Sequence, residues 1–164
     1  MKKYWGVLTL LVLCAAAANA QTTYEVYLNA RFGYSVEYPD IFESSREPDN
    51  GDGIWMEGAG AEGEYSLTIS VGHNIFADDG HAMLEKCYDR VAHIVPGSER
   101  SGEGYYSIAY EGGGGMDGVE HIFHEYGIVN GDLWAMFILK YPMSEEEGFK
   151  EIKKRMEDSL KLPD

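Results

Sequence analysis

Hydrophobic and polar positions along this chain keep two periods, and the switches between them mark its elements. Tyr34, Val36 and Tyr38 alternate with Ser35 and Glu37, the period of a strand with one aromatic, apolar side and one side toward water or a second layer. Pro39 lacks the N–H that a ladder needs, so Tyr38-Pro39-Asp40 reads as a strand end running into a turn. Ile138-Leu139-Lys140-Tyr141-Pro142 closes another strand the same way, and the two like endings predict a sheet with both margins punctuated. Tyr24 to Leu28 fits a short first strand. The polar turn cluster Asp49-Asn50-Gly51-Asp52-Gly53 leads into a short strand, Ile54 to Glu57, and Gly58 to Glu64 reads as a tight loop. Tyr65 to Val71 then sets Leu67, Ile69 and Val71 against Ser66, Thr68 and Ser70, a strand with one buried face.

From Asp79 to about Val95 the period becomes helical, with Met83, Leu84, Cys87, Tyr88, Val91 and Val95 on one stripe. Asp78 or Asp79 can cap the start, and Pro96-Gly97 ends it. Alternation returns at Tyr105 to Tyr110, followed by a flexible tip at Gly112 to Gly115 that leads to Met116-Asp117-Gly118. Val119 to Val129 is the next strand, and Asn130-Gly131 is the strongest two-residue hairpin signal before Asp132 to Tyr141. In that last strand both sides are apolar: Leu133, Ala135, Phe137 and Leu139 on one, Trp134, Met136 and Ile138 on the other. It should therefore be central and covered on both faces. Ser144-Glu145-Glu146-Glu147 offers a capping box for a closing helix striped by Phe149, Ile152, Met156 and Leu160. Lys150, Lys153, Lys154 and Arg155 lie mostly on its other side. The expected class is α+β: a single domain with a twisted antiparallel β-sheet of about six or seven strands flanked by helices.

The first twenty residues stand outside this pattern. Lys2 and Lys3, an apolar run from Val7 to Cys14, and Ala18-Asn19-Ala20 before Gln21 make a secretory signal peptide over residues 1–20, cleaved after Ala20. The run is too short to span a bilayer, and Leu13 before Cys14 does not suit lipoprotein processing, so no stable membrane anchor is expected. Residues 21–164 then form the domain, in the periplasm or outside the cell. The leader holds two of the 13 basic residues and none of the 28 acidic ones, which leaves 11 against 28 and a formal charge of −17. Such a field repels nucleic acid and anionic membrane surface and favours basic or cationic partners. Cys87 is the one cysteine left, so no intrachain disulfide can form and packing must supply the stability. No oligomeric state is read from the sequence.

The phrase Phe32-Gly33-Tyr34-Ser35-Val36-Glu37-Tyr38-Pro39, the turn Pro48 to Gly53, the mid-chain helix, and Tyr141-Pro142 followed by a helix together resemble the PsbP-like superfamily. That group includes the extrinsic PsbP protein of photosystem II, small exported bacterial proteins, and a nuclear-transport factor that binds the GTPase Ran. The resemblance covers nearly the whole of residues 21–164 in order of elements. It implies a PsbP-like α/β/α sandwich and a protein that binds or assembles. It transfers no functional residues, because the matching positions are turns and strand ends.

The chemistry-bearing patterns each meet a plainer alternative. Gly58-Ala59-Gly60-Ala61-Glu62-Gly63 has the spacing of a dinucleotide motif, but a strand follows where the pyrophosphate needs a helix N-terminus. No phosphate-loop phrase occurs. His121 and His124, three apart on a strand, point to opposite faces, and His73, His81 and His93 are scattered, so no metal site is assigned. Asp49, Asn50 and Asp52 offer oxygens for calcium in the wrong register, and a turn explains them better. Cys87, with His81 or His93 as base, could be a nucleophile, yet it sits on the apolar stripe between Leu84 and Val91. No phrase sets a serine on a sharp turn, and Glu145-Glu146-Glu147 reads first as a solvated helix start. The strand aromatics are first of all core, with some left over to line a groove for a ligand or partner chain. No catalytic, cofactor-binding or metal residues are assigned, and no cofactor is expected.

Two readings of function remain. One is an exported non-catalytic binding or assembly module of the cell envelope, with an envelope protein or small cationic ligand as partner. The other is a hydrolase whose carboxylates converge only in three dimensions, which requires a water-excluding pocket holding an acid with a raised pKa.

Overall fold

In the computed structural model, which describes residues 22–113 and 118–163, the period-two segments are strands and the helical stripes are helices. The strands are β1 (Tyr24–Leu28), β2 (Ser35–Pro39), β3 (Ser44–Arg46), β4 (Gly53–Ala59), β5 (Glu64–His73), β6 (Arg100–Gly102), β7 (Tyr105–Gly112), β8 (His121–Asn130) and β9 (Leu133–Pro142). Helix α1 (Gly80–Tyr88) lies between β5 and β6, and α2 (Glu146–Ser159) follows a single 3-10 turn, Met143–Glu145. Seven strands make one antiparallel sheet in the order β3-β4-β5-β9-β8-β7-β6, with β9 in the middle. The α+β class and the central last strand are as the pattern predicts.

The margins are not. β1 and β2 pair only with each other, so Pro39 ends a separate hairpin while Pro142 ends the central strand. The large sheet's edges are β3 and β6, three residues each, Ser-Ser-Arg and Arg-Ser-Gly, too short and polar to show an alternation. The loop predicted from Gly58 also begins late, because Gly58 and Ala59 still pair with Tyr65 and Glu64. The β8–β9 turn is Gly131-Asp132, one residue beyond the Asn-Gly signal. Asn130 is itself paired with Leu133, and its Oδ1 accepts from the Leu133 amide at 2.9 Å. The signal segment and the tip around Met116-Asp117 lie outside the described residues.

The register carries side chains in rows across the sheet, and the rows show where the core sits. One runs Ala109, His124, Leu139, Leu67, Met56, all buried. Over it pack the β1–β2 hairpin, through Tyr27, Tyr34 and Val36, and the α2 stripe Phe149, Ile152 and Met156. The Tyr141 ring stacks on Phe149 at 4.3 Å and 8°. The neighbouring row runs Ile108, Glu125, Ile138, Thr68, Trp55, Arg46 on the other face. Ile108 and Glu125 are fully buried beneath α1, Ile138 and Thr68 are half-buried, and Trp55 is 41% exposed. Coverage of β9 on both faces therefore holds for Ala135, Phe137, Leu139 and Tyr141 and fails for Trp134, Met136 and Ile138, which are half-buried. The reason is length. At ~1.5 Å per residue α1 spans roughly 13 Å, against roughly 29 Å across seven strands.

Two helix expectations also change. α1 stops at Tyr88 rather than near Val95. Beyond it the chain turns back along β7: Glu111 donates to the His93 carbonyl, Ile94 bridges Tyr110, and Val95 donates to Ala109 at 2.9 Å. His93 takes a left-handed φ of 55° to make that turn. Val91 and Ile94 still pack on the α1 cluster, so their apolar spacing is satisfied by a wrapped segment instead of a helix. The α1 cap is Asp79, which accepts from the Ala82 amide at 2.8 Å, but α2 has no capping box. Its cap residue, Glu145, sends its carboxylate to Tyr65 instead, accepting from the phenol at 2.7 Å.

Candidate functional site

α2, the nearby ends of β7 and β8, and the segment from Val95 to Arg100 enclose a groove of about 700 Å³. Its floor is mixed, with Ala109 from β7 and Ile122 from β8 between Ser107, Glu111 and His124, and Val95, Pro96 and Met143 at the margins. The Val95–Arg100 wall is clamped to the sheet. Ser98 Oγ donates to the Ala109 carbonyl at 3.1 Å and accepts from the Ala109 amide at 3.0 Å. Gly97, at a φ of 77°, makes the turn that brings Ser98 there. From α2, Glu146, Lys150, Lys153 and Glu157 recur at spacings of four, three and four, which puts them on one face over the floor.

Two polar nodes are built on this face. In the first, Glu157 faces His124 of β8 and Arg100 of β6: His124 Nε2 lies 2.9 Å from Glu157 Oε1, and the Arg100 guanidinium donates to both carboxylate oxygens at 2.8 and 2.9 Å. Burial works to raise the Glu157 carboxyl, but the hydrogen bonds from His124 and Arg100 outweigh it and hold the group below its ordinary value. In the second, the Tyr141 hydroxyl donates to Glu146 at 2.5 Å, while Lys153 donates to Glu146 at 2.6 Å and to the Tyr141 oxygen at 3.0 Å. Glu146 is likewise lowered, its partial burial overcome by Lys153 and Tyr141. The Tyr141 phenol is pushed up by burial and by its bond to Glu146. Both carboxylates are therefore anionic near neutrality. A general acid needs the opposite displacement, so neither has the raised pKa that the hydrolase reading requires. Farther out, Lys150 pairs with Glu147 and Lys154 with Asp158, on side chains more than half exposed. Such pairs contribute roughly 0–1 kcal/mol and exchange readily with an incoming charge.

A third polar cluster lies under α1, apart from the α2 groove. Glu125 accepts from the Tyr106 hydroxyl at 2.9 Å and from Arg90, and the Cys87 sulfur stands 3.5 Å from it. Burial and the Glu125 charge push the Cys87 thiol up to about 12. Its polar partners are the Met83 carbonyl, Arg90 and Glu125, and His81 bonds to Ser101, so neither His81 nor His93 stands beside the sulfur as the nucleophile reading asks. Cys87 is core, as its stripe position implies.

Of the residues weighed from sequence, the groove gathers His124 and Glu146. His121 and His124 fall on opposite faces of the continuous β8 ladder. Asp49, Asn50 and Asp52 form a turn, in which Gly51 donates to the Pro48 carbonyl and Asn50 donates to Asp52 at 2.6 Å. Among the described residues no three His, Cys, Asp or Glu side chains converge as metal ligands would. The glycine motif bridges β4 to β5, strand to strand, with Gly60 donating to the Gly63 carbonyl. Of the triple glutamate only Glu147 is a solvated helix start. The groove has no aromatic lining: Tyr34, Tyr106 and Tyr141 went to the core. Arg100 and Glu157 escaped the sequence reading, and Lys150, Lys153 and Lys154, read only as the polar side of the closing helix, line the groove. The spacing of Glu146, Lys150, Lys153 and Glu157 on α2 was the signal available for Glu157, and nothing comparable pointed to Arg100 on β6.

No protein-family model and no curated protein sequence matches the chain. Among solved structures it is similar to cyanobacterial PsbP (CyanoP) from Synechocystis sp. PCC 6803, with a TM-score of 0.60 and 13% identity over 92% of this chain and 99% of that one. The fold is PsbP-like. Weaker likenesses are to a protein of Bacteroides thetaiotaomicron VPI-5482 (TM-score 0.49, 12% identity, 80% of this chain and 45% of that one) and to LpqN of Mycobacterium tuberculosis, which is involved in cell envelope biogenesis (0.48, 12%, 89% and 88%). In this fold the groove lies on the sheet face that α2 covers, and no helix of the described residues is long and apolar enough to cross a membrane.

Proposed function

We propose that the protein is an exported, non-catalytic binding or assembly module of the cell envelope, with the α2 groove as the seat of its partner, an envelope protein or a small cationic ligand. The observation that carries this reading is the groove itself: apolar positions at Ala109, Ile122, Val95 and Met143 beside carboxylates held ionised by their neighbours. A partner's ammonium or guanidinium group can take Asp158 from the exposed Lys154 at little cost, while its apolar part lies along Val95, Pro96 and Met143 at the groove margin. The leader-like first twenty residues support export, and the excess of 28 acidic over 13 basic residues supports a basic partner.

The test is site-specific photocrosslinking in the exporting cell, with the photoreactive residue at Ser98 on the groove wall or at Glu62 on the remote β4–β5 loop. The expected result is a discrete adduct from position 98 alone, weakened by Lys153→Ala. Equal labelling from both positions, or none from 98, overturns the reading.

A further inference from the structure

The other face of the sheet ends in a second recess. From the chemistry gathered there we infer that a basic polypeptide segment docks on the open β4–β5–β9 face, with a Lys or Arg side chain seated against Trp55. This rests on the binding-module reading and adds a second docking site, on the side of the sheet opposite the α2 groove.

The recess, of about 320 Å³, is lined by Glu47, Asp49, Asp52, Trp55, Thr68 and Ser70, with Arg46 the one cation among its lining residues. Register puts Arg46, Trp55 and Thr68 in one row of the half-open face, and Ser70 in the next row beside Met136. The shape is set before any partner arrives. Asp52 is held by Asn50 at 2.6 Å, its carbonyl accepts from the Val71 amide at 2.9 Å, and Arg31 reaches the Asn50 carbonyl. Gly53 leaves bare backbone in the floor, since a Cβ there would lie 2.0 Å from the Ile69 carbonyl oxygen.

The occupant follows from charge and surface together. Three carboxylates against one guanidinium call for an added cation, and the exposed face of Trp55 suits the stem and head of a Lys or Arg side chain. The protein's own cations mostly stand elsewhere. Eight of the eleven basic residues after Ala20 are already ion-paired, namely Lys86, Arg90, Arg100, Lys140, Lys150, Lys153, Lys154 and Arg155. Beyond the recess the half-buried Ile138, Met136 and Trp134 continue as an apolar strip. A polypeptide covers that strip, whereas a free polyamine leaves it wet.

The experiment titrates the purified protein with a nonapeptide of repeated Arg-Val-Lys, with its Glu-Val-Glu counterpart and with spermidine, reading backbone amides and the Trp55 indole by ¹⁵N NMR. The basic peptide is expected to shift Gly53 to Trp55 and Thr68 to Ser70 and to weaken markedly with salt. Asp49→Asn with Asp52→Asn should lower its affinity about tenfold, and Trp55→Ala should do so by about fivefold. Shifts confined to the α2 groove, equal binding of the acidic peptide, or spermidine binding as tightly as the peptide overturns the proposal. Crosslinking from position 98 is a separate readout, so loss of this site leaves the groove reading standing, and the reverse holds as well.

Discussion

Glu157→Gln removes one negative charge from the groove while keeping the side chain's shape, and its cost can be built from the contacts. The carboxylate receives two hydrogen bonds from Arg100 and faces His124 Nε2 at 2.9 Å, with the His124 side chain 7% exposed. A glutamine keeps one acceptor and turns an amide N–H₂ toward another donor. The His124 contact, being buried, accounts for about 1–2 kcal/mol, and the half-exposed Arg100 arm for about 1 kcal/mol at most. The expected loss at neutral pH is therefore about 2–3 kcal/mol, or roughly 6–9 °C in melting temperature for a domain of this size. Its pH dependence has a definite sign. The folded pKa of Glu157 is lowered, so its stabilisation is fully present above the unfolded carboxylate value of 4.5 and is lost as pH falls through the folded one. Urea unfolding followed by circular dichroism from pH 7 down to about pH 3 should show the wild type and variant curves converging only in the acid. A difference that stays constant through that range, or no difference at pH 7, refutes the argument that His124 and Arg100 hold this carboxylate ionised.

Met156 is fully buried on the α2 stripe, and Met156→Ala should cost about 2–5 kcal/mol in urea unfolding; a loss under about 1 kcal/mol would mean that α2 does not seal the core. Arg90→Ala strands the buried Glu125 carboxylate and should destabilise by about 2–4 kcal/mol, with Glu125→Leu in the same chain recovering part of the loss. Purely additive losses would disprove that coupling. The Cys87 thiol, buried and pushed up to about 12, should react with Ellman's reagent no faster than the chain unfolds; full labelling within seconds under native conditions would disprove it.

What was legible in the chain was whatever a single segment carries by itself. Leu67, Ile69 and Val71 on β5, the double-sided β9 and the Phe149-Ile152-Met156 stripe declare their own periods, and with them came the class, the central strand and the PsbP-like order of elements. β3 and β6 did not, because a three-residue strand has no period to read. The overlong α1 was misread because Val91 and Val95 keep helical spacing while Val91 packs from the turn that ends the helix and Val95 from chain paired with Ala109, a tertiary override that periodicity cannot detect. The groove stayed hidden for a different reason. Glu157 lies 33 residues from His124 and 57 from Arg100; the β6–β7–β8 register sets Arg100 and His124 on one face, and α2 packed over that face brings Glu157 to them.

The taper of the open face and the excess of acid bear on one another. With α1 nine residues long, Trp55, Ile138 and Met136 are left partly in water, the kind of strip through which a second copy could pair. The strip is bordered by carboxylates, with Glu47, Asp49 and Asp52 at the recess and Glu57 beside Trp55 on β4. Two such faces brought together oppose like charges, while a basic chain meets none of that repulsion. The rim would thus keep the face open for a partner by keeping it closed to itself. Sedimentation tests this directly. The wild type should remain monomeric at low salt, whereas Asp49→Asn with Asp52→Asn, or screening at about 1 M salt where the Debye length is roughly 3 Å, should promote association. Trp55→Ala in the neutralised chain should then reverse it. Association that ignores both the rim charges and Trp55 would mean that the carboxylates serve solubility alone and that copies meet through some other surface.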